Sequence, residues 1–443
     1  MQLTWQKSIR GALTAFTASL LGTGMIQAAG DSQLESSILL YSETDRVQAA
    51  EGIFNYKKTL KADRLVNVRF TIDGLTGASP NGATPSGQIQ TFTRPSGQGG
   101  YQVKPGEIPL DDTFRDTRYS IDGSFTQPIS PVASLIVGAH FSGEHDYTSF
   151  GANFGFIREF NKKNTTLSAS AAYSHDLIKP EGGAPTPLSL MLPPGEDENE
   201  DENEIDDKSG AFLSDNDDGG GGSSESKNVF DAVVGLTQVL DRKTVFRINY
   251  SFSHSTGYLN DPYKILSIVQ SRNEAQPGEP VSYIYEGRPD SHSKHAVYSQ
   301  LRRYLYKGHT VDLSYRYFWD DWGITSHTVD FFYRLPLTKG HALRPHLRWY
   351  KQTAADFYKP YIVNGPLPVS ASADYRLAPF HAVTVGMQYL FPVAQGVNLS
   401  IGGEYYGQYG DVSPPDSMGP LSLYEIFPDM DAVIVRMGFT YDF

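Results

Sequence analysis

Ser174, His175 and Asp176 follow one another directly and supply the nucleophile, base and acid of a hydrolytic triad. On a strand, consecutive side chains point to opposite faces, so the three could not converge on one scissile bond. His140, Glu144, His145 and His175 fall in neighbouring segments, but their spacing marks out neither a nucleophile nor a metal centre. The chain has no phosphate-binding loop, dinucleotide fingerprint or haem-attachment pair, so no cofactor is expected. The densest charge runs from Glu196 to Glu204, continues through Asp206, Asp207, Asp215, Asp217 and Asp218, and ends on Gly219 to Gly222. Carboxylates collect hard cations such as calcium, but the twelve-residue ligand spacing with its glycine turn is missing, so no metal is assigned. The run reads as a self-repelling, solvated loop unable to bury a core.

The composition narrows the classes further. The 443 residues include no cysteine, which excludes a disulfide scaffold, a thiolate zinc site and a cysteine nucleophile. A net charge of -13 argues against a nucleic-acid partner, which needs a basic footprint. At the N-terminus, Lys7 and Arg10 precede a mostly apolar stretch to Met25, and Ala28, Ala29 and Gly30 offer a cleavage site. This is the layout of a secretory signal peptide over 1–29. Its removal leaves 35 Lys and Arg against 50 Asp and Glu. No later stretch is long and apolar enough for a transmembrane helix, which leaves a soluble exported protein or a closed barrel.

The elements that position the charged residues have a period of two. Val66, Val68, Phe70 and Ile72 alternate with Asn67, Arg69, Thr71 and Asp73. Phe246 to Ser253, Val311 to Phe318 and Val329 to Leu335 repeat the pattern, which is that of strands with one apolar and one polar face. The segments run about ten to thirteen residues, and aromatic residues cluster at their ends, as at Tyr315, Tyr317, Trp319, Trp349 and Tyr350. These are features of an all-β, single-chain transmembrane antiparallel barrel, predicted over 30–443 with about sixteen strands. With both termini in the periplasm, the long connections 75–114, 177–226, 256–292, 353–381 and 409–430 all fall at the outer face. The acidic segment lies in the second of these, 177–226.

That phase turns Arg69, Arg247, Asp312, Arg316, Asp330, Arg334, Arg344, His346, Arg348, Glu404 and Arg436 into the lumen. Mutual pairing and hydration is one reading of them, and a conduction pathway is the other. Phe439, Tyr441 and the terminal Phe443 share the apolar face of the last strand. Such a strand resembles the signal that outer-membrane barrels present to the barrel assembly machinery. The localisation expected is the bacterial outer membrane, with its lipid as the first partner.

Three segments carry a resemblance to a known family. They are Asp73-Gly74-Leu75-Thr76-Gly77-Ala78-Ser79-Pro80-Asn81-Gly82-Ala83, Arg316 to Ile324 with Ser326-His327-Thr328, and Ser372-Ala373-Asp374-Tyr375-Arg376-Leu377. The chain resembles the bacterial family called domain of unknown function 3570 over nearly the whole mature sequence, departing from it in the acidic loop and in an insertion over 84–106. The resemblance implies a Gram-negative outer-membrane barrel of unassigned activity. It also implies an envelope redox or export assembly that includes a periplasmic thioredoxin-like protein, a small lipoprotein and a flavin transferase.

By strand count the three segments meet at one mouth. Gly74, Gly77, Pro80 and Gly82 suggest a turned backbone, and Asp320, Asp321 and Trp322 suggest a turn whose carboxylates bond backbone amides. Asp73, Ser79, Asn81, Asp320, Asp321, Trp322, His327, Asp374 and Arg376 are therefore candidates for a loop clasp or a ligand contact. The functional expectation is a channel or the outer-membrane component of an export or redox system. A rim enzyme and a structural or adhesive surface protein are the alternatives.

Overall fold

Alternating strands bury neither face unless a sheet closes or stacks, and here the sheet closes. The computed structural model describes residues 31–44, 46–94, 99–180, 182–191, 224–410, 417–424, 426–427 and 429–443. The signal-peptide segment and the acidic run 196–222 lie outside the described residues. In chain order the strands are β1 (Ser32–Glu43), β2 (Gln48–Leu60), β3 (Arg64–Pro80), β4 (Gln90–Thr93), β5 (Gly100–Val103), β6 (Leu110–Ser130), β7 (Ala133–Gly143), β8 (Tyr147–Phe160), β9 (Thr165–Ile178), β10 (Glu225–Asp241) and β11 (Thr244–Gly257). They continue as β12 (Ile265–Val269), β13 (Pro280–Tyr285), β14 (Ser291–Tyr304), β15 (Thr310–Asp320), β16 (Thr325–Pro336), β17 (Ala342–Gln352), β18 (Ile362–Val363), β19 (Phe380–Ala394), β20 (Val397–Gly410) and β21 (Met430–Asp442).

All but β4, β5, β12, β13 and β18 form one closed barrel of sixteen strands, each paired antiparallel with the next. The ring closes where β1 meets β21, with Ser36 opposite Phe439 and Leu34 opposite Tyr441. The backbones of Ser32 and Phe443 exchange hydrogen bonds of 3.0 and 2.9 Å, so the terminal residue completes the seam.

The outer wall carries the large apolar residues of each strand, among them Phe54, Phe70, Ile121, Phe154, Leu313, Phe331, Leu347 and Met437. Exposure of so many hydrophobic side chains all round a closed sheet is the signature of a lipid-facing band. One end has only short connections. At two of them Lys307-Gly308 and Lys339-Gly340 take paired left-handed conformations (φ 46° and 87°, 52° and 87°), which match the twist of a tight hairpin.

The strands outgrow the predicted length at the other end: β3 and β10 have 17 residues and β6 has 21, against the ~10 that cross the apolar band. Residues 75–80 and 110–114, read from sequence as part of a long loop, are therefore strand. Most of the turned segment around Gly74 continues β3, with a register shift between Gly77 and Ser79. Gly77 has φ 128°, and any side chain there would strike the Arg46 carbonyl.

The long outer connections fold into a lid. β4 and β5 form a hairpin, and β13, β12 and β18 form a small sheet in which β12 and β18 are parallel. One apolar core joins Leu259, Trp322, Ile324, Ala355, Phe357 and Leu377. A second holds Ala83, Phe92, Val103, Met191 and Ile265, and a third Leu266, Ile284, Ile362, Ala371 and Ala373. The lid reaches the rim on many sides. Lys264 bonds the Pro80 carbonyl at the end of β3, Tyr263 bonds Asp146 between β7 and β8, Tyr258 packs on Ile178 at the end of β9, and Gln352 of β17 bonds the Arg376 and Ala378 carbonyls.

Candidate functional site in the lid and the lumen

Six charged side chains from three segments of two outer connections are buried together in the lid. Asp261 and Lys264 come from the segment before β12, Glu286 and Arg288 from the one after β13, and Asp374 and Arg376 from the one after β18. Arg376 binds Asp374 through Nε at 2.8 Å and reaches Asp261 at 2.8 Å. Arg288 binds Asp374 at 2.9 Å and Glu286 at 2.6 Å. The Ser372 hydroxyl donates to Glu286, and the Asp374 backbone N–H donates to Ser372 Oγ at 3.1 Å. The three acids and three bases neutralise one another.

Burial alone would raise the Asp374 carboxyl, but Arg376 and Arg288 outweigh it and hold the group well below the usual carboxylate range. Asp261 follows the same pattern under Arg376, Lys264 and Arg288. Glu286 goes the other way, because its burial and the charges of Asp261 and Asp374 exceed the pull of Arg288. Burial lowers Lys264 despite Asp374 and Asp261. Buried pairs of this kind contribute little net stability, yet removing one member strands an opposite charge and costs about 3–5 kcal/mol. The network therefore fixes two long outer connections in one arrangement.

The profile of the family described as "Protein of unknown function (DUF3570)" matches residues 10–441. The chain belongs to this family. No curated protein matches it by sequence. Among solved structures it is similar to a mutant ferric enterobactin receptor from Pseudomonas aeruginosa, at 11% identity and a TM-score of 0.43, over 93% of this chain and 60% of the receptor. It is also similar to a bacterial polysaccharide outer membrane secretin, at 7% identity and a TM-score of 0.44, over 93% of this chain and 98% of that one. The CymD monoaromatic hydrocarbon channel matches at 8% identity and a TM-score of 0.40, over 94% and 90%. These likenesses concern the fold alone. The closed sixteen-strand sheet with its apolar outer wall is itself a barrel of the bacterial outer-membrane type, and the chain spans three fifths of the receptor's length.

In this member of the family the three motif segments meet in the lid. Lys264 ties the first segment to the ionic network through the Pro80 carbonyl, and the Ile265 N–H donates to the Asn81 carbonyl at 2.9 Å. The Asn81 side chain receives the Ala83 N–H at 2.8 Å and donates to Tyr101 at 2.9 Å. Ser79 is buried nearby at the end of β3. The second and third segments share the core of Trp322, Phe357 and Leu377.

Asp320 accepts from the Trp322 and Ile324 amides at 3.1 and 2.8 Å and from His292 Nε2 at 2.9 Å. Asp321 accepts the Ser293 N–H at 2.9 Å. Trp322 lies flat on His292, with ring centroids 3.6 Å apart, and donates its indole N–H to the Ser291 carbonyl.

Two of the candidate residues stand elsewhere. Asp73 is on the inner phase of β3 and pairs with Arg118 at 2.9 Å. His327 shares its face with Val329 and Phe331, and its Nδ1 is 2.7 Å from the Tyr315 hydroxyl in the outer aromatic girdle, away from the mouth. Ser174 and Asp176 face the interior, where Asp176 accepts from Ser149 at 2.7 Å and pairs with Lys227 at 3.0 Å. His175 sits on the opposite face with Asn228.

The eleven lumen residues alternate with the lipid-facing ones. His346 bridges Glu404 at 3.0 Å and Asp330 at 3.2 Å, with Arg436 on Glu404 at 3.3 Å and Arg348 near Asp330 at 3.8 Å. Asp312 accepts from Arg302 at 3.0 Å and from Gln300 at 2.7 Å. Arg247 donates to Gln300 at 3.4 Å, Arg316 lies over the Phe318 ring, and Arg69 Nε is buried without a hydrogen-bond partner. The wall is therefore partly cross-linked and partly open to other acceptors.

Sequence reasoning did not reach Asp261, Lys264, Glu286 and Arg288. Alternating charge beside the apolar pairs Ile265-Leu266 and Ile268-Val269 was a signal that this loop folds. It also left out Asp116 and Asp146, whose carboxylates converge with Glu144 so that one oxygen of each lies within 4.8 Å of the others. Such a donor set could hold a hard divalent cation. Burial, helped by the hydrogen bond and the charge of Asp116, pushes the Glu144 carboxyl up to about 9.

Proposed function

We propose that the chain is an outer-membrane conduit, acting as a channel or as the outer-membrane part of an export or redox system, whose outer mouth is shut at rest by its own loops. The observation that carries this reading is the lid: the described parts of the long outer connections fold over a charged lumen and contact the rim at β3, β7–β8, β9 and β17. A purely structural surface protein has no need of an ionised interior, which is costly unless it faces water. Loss of one charge would loosen the lid and leave the barrel ladders intact. The thioredoxin-like protein, lipoprotein and flavin transferase suggested by the family enter as periplasmic partners of the same conduit.

The test is unitary current in planar bilayers. Wild-type protein should open rarely, and Asp374→Asn should open often. A folded Asp374→Asn barrel with no current would refute the conduit.

A further inference from the structure

Four arginines crowd one wall of the lumen near the end with short turns. Arg247 and Arg344 lie near the starts of β11 and β17, and Arg302 and Arg334 near the ends of β14 and β16. These strands, with β15 among them, are consecutive in the barrel. Arg334 and Arg344 flank the Leu335–Leu343 cross-strand pair on the lumen side. Like charges so placed repel. Arg344 feels the negative charges of Asp312 and Glu404 as well as the positive charges of Arg302 and Arg334.

The carboxylates within reach are already engaged: Asp312 by Arg302 and Gln300, Asp330 and Glu404 by His346 and its neighbours. Among the described residues, Arg334 and Arg344 donate no hydrogen bond and form no ion pair. Arg344 is nevertheless held in place. Its guanidinium stands 4.2 Å from the centroid of Phe332, and that ring is itself stacked on His346 at 4.0 Å and 5°.

Arg344, braced by Phe332, and the more exposed Arg334 on the neighbouring strand are unpaired guanidinium forks in a partly screened lumen, and together they present N–H donors to an oxyanion. We propose that Arg334 and Arg344, flanked by Arg247 and Arg302, bind a small doubly charged oxyanion at the periplasmic half of the lumen. This builds on the conduit reading by naming the class of solute, anions rather than cations, that the lower wall admits.

The test is isothermal titration of inorganic phosphate, and separately of succinate, into the full chain in detergent at low salt. Saturable binding is expected for at least one of them, and the better ligand identifies a phosphate-type or a dicarboxylate solute. Arg334→Gln with Arg344→Gln should weaken it at least tenfold, and Arg348→Gln, which alters an arginine already placed against Asp330, should leave it within about twofold. Raising the salt should weaken it because both guanidinium groups face water. If the double variant fails to migrate as a folded barrel, Arg334→Gln alone serves, with a loss of at least threefold. Absence of saturable binding for both anions, or unchanged binding in the folded variants, would overturn the proposal. Phosphate binding without unitary current would keep this site and remove the conduit. Current without anion binding would do the reverse.

Discussion

At the scale of single residues, the lid tolerates few changes because its polar groups are buried with their partners. Asp320 satisfies two backbone amides and one imidazole from a nearly sealed position. Asp320→Ala leaves those donors bare, at about 1–3 kcal/mol. The expected outcome is a lower temperature at which the folded species converts to the unfolded one on a gel, with the secondary structure at room temperature unchanged. Glu144 gives a pH signature. Its carboxyl is raised to about 9 by burial and by Asp116, against about 4.3 in an unfolded chain. Between these values the folded state holds a proton that the unfolded state has released, so this group's contribution falls as pH rises. Thermal midpoints should decline from pH 5 to pH 9 in the wild type. Glu144→Gln should flatten that decline, and an unchanged slope would show that another group causes it.

At the scale of elements, the barrel strands were legible and the lid was not. A period of two over a dozen residues has one reading once its apolar side meets lipid, because a one-residue slip would expose every charged side chain to the bilayer. Val66, Val68, Phe70 and Ile72 settle the phase of β3, and Arg69 and Asp73 follow from it. The segments 258–290 and 353–379 carry no long alternation. Their order comes from contacts between loops far apart in sequence, such as Arg376 with Asp261 and Ser372 with Glu286. Residues 75–80 were read as loop because Gly74, Gly77 and Pro80 signal a turn locally, whereas pairing with β6 carries the strand through them. Asp374 and Asp261 are held below the ordinary carboxylate range, so their stabilisation is complete above about pH 4 and is lost as the pH falls toward their folded values. Protease resistance of 258–290 and 353–379 should therefore persist down to about pH 4 and fall below it. Asp374→Asn should lose that resistance at neutral pH while the barrel remains resistant.

At the scale of the whole molecule, one arrangement accounts for the composition. Apolar and aromatic side chains cover a closed wall, charged ones line its interior, and the outer loops fold into a cover. The chain's lack of cysteine permits a direct measurement of all three. A single cysteine at Ser124, on the lumen face of β6, and another at Ile121, on its lipid face, can be challenged with a membrane-impermeant maleimide from either side of an oriented membrane. The account predicts that Ser124→Cys reacts from the periplasmic side, reacts from the outer side only when combined with Asp374→Asn, and that Ile121→Cys reacts from neither. Rapid labelling of Ser124→Cys from outside with the lid intact, or labelling of Ile121→Cys by the aqueous reagent, would contradict it.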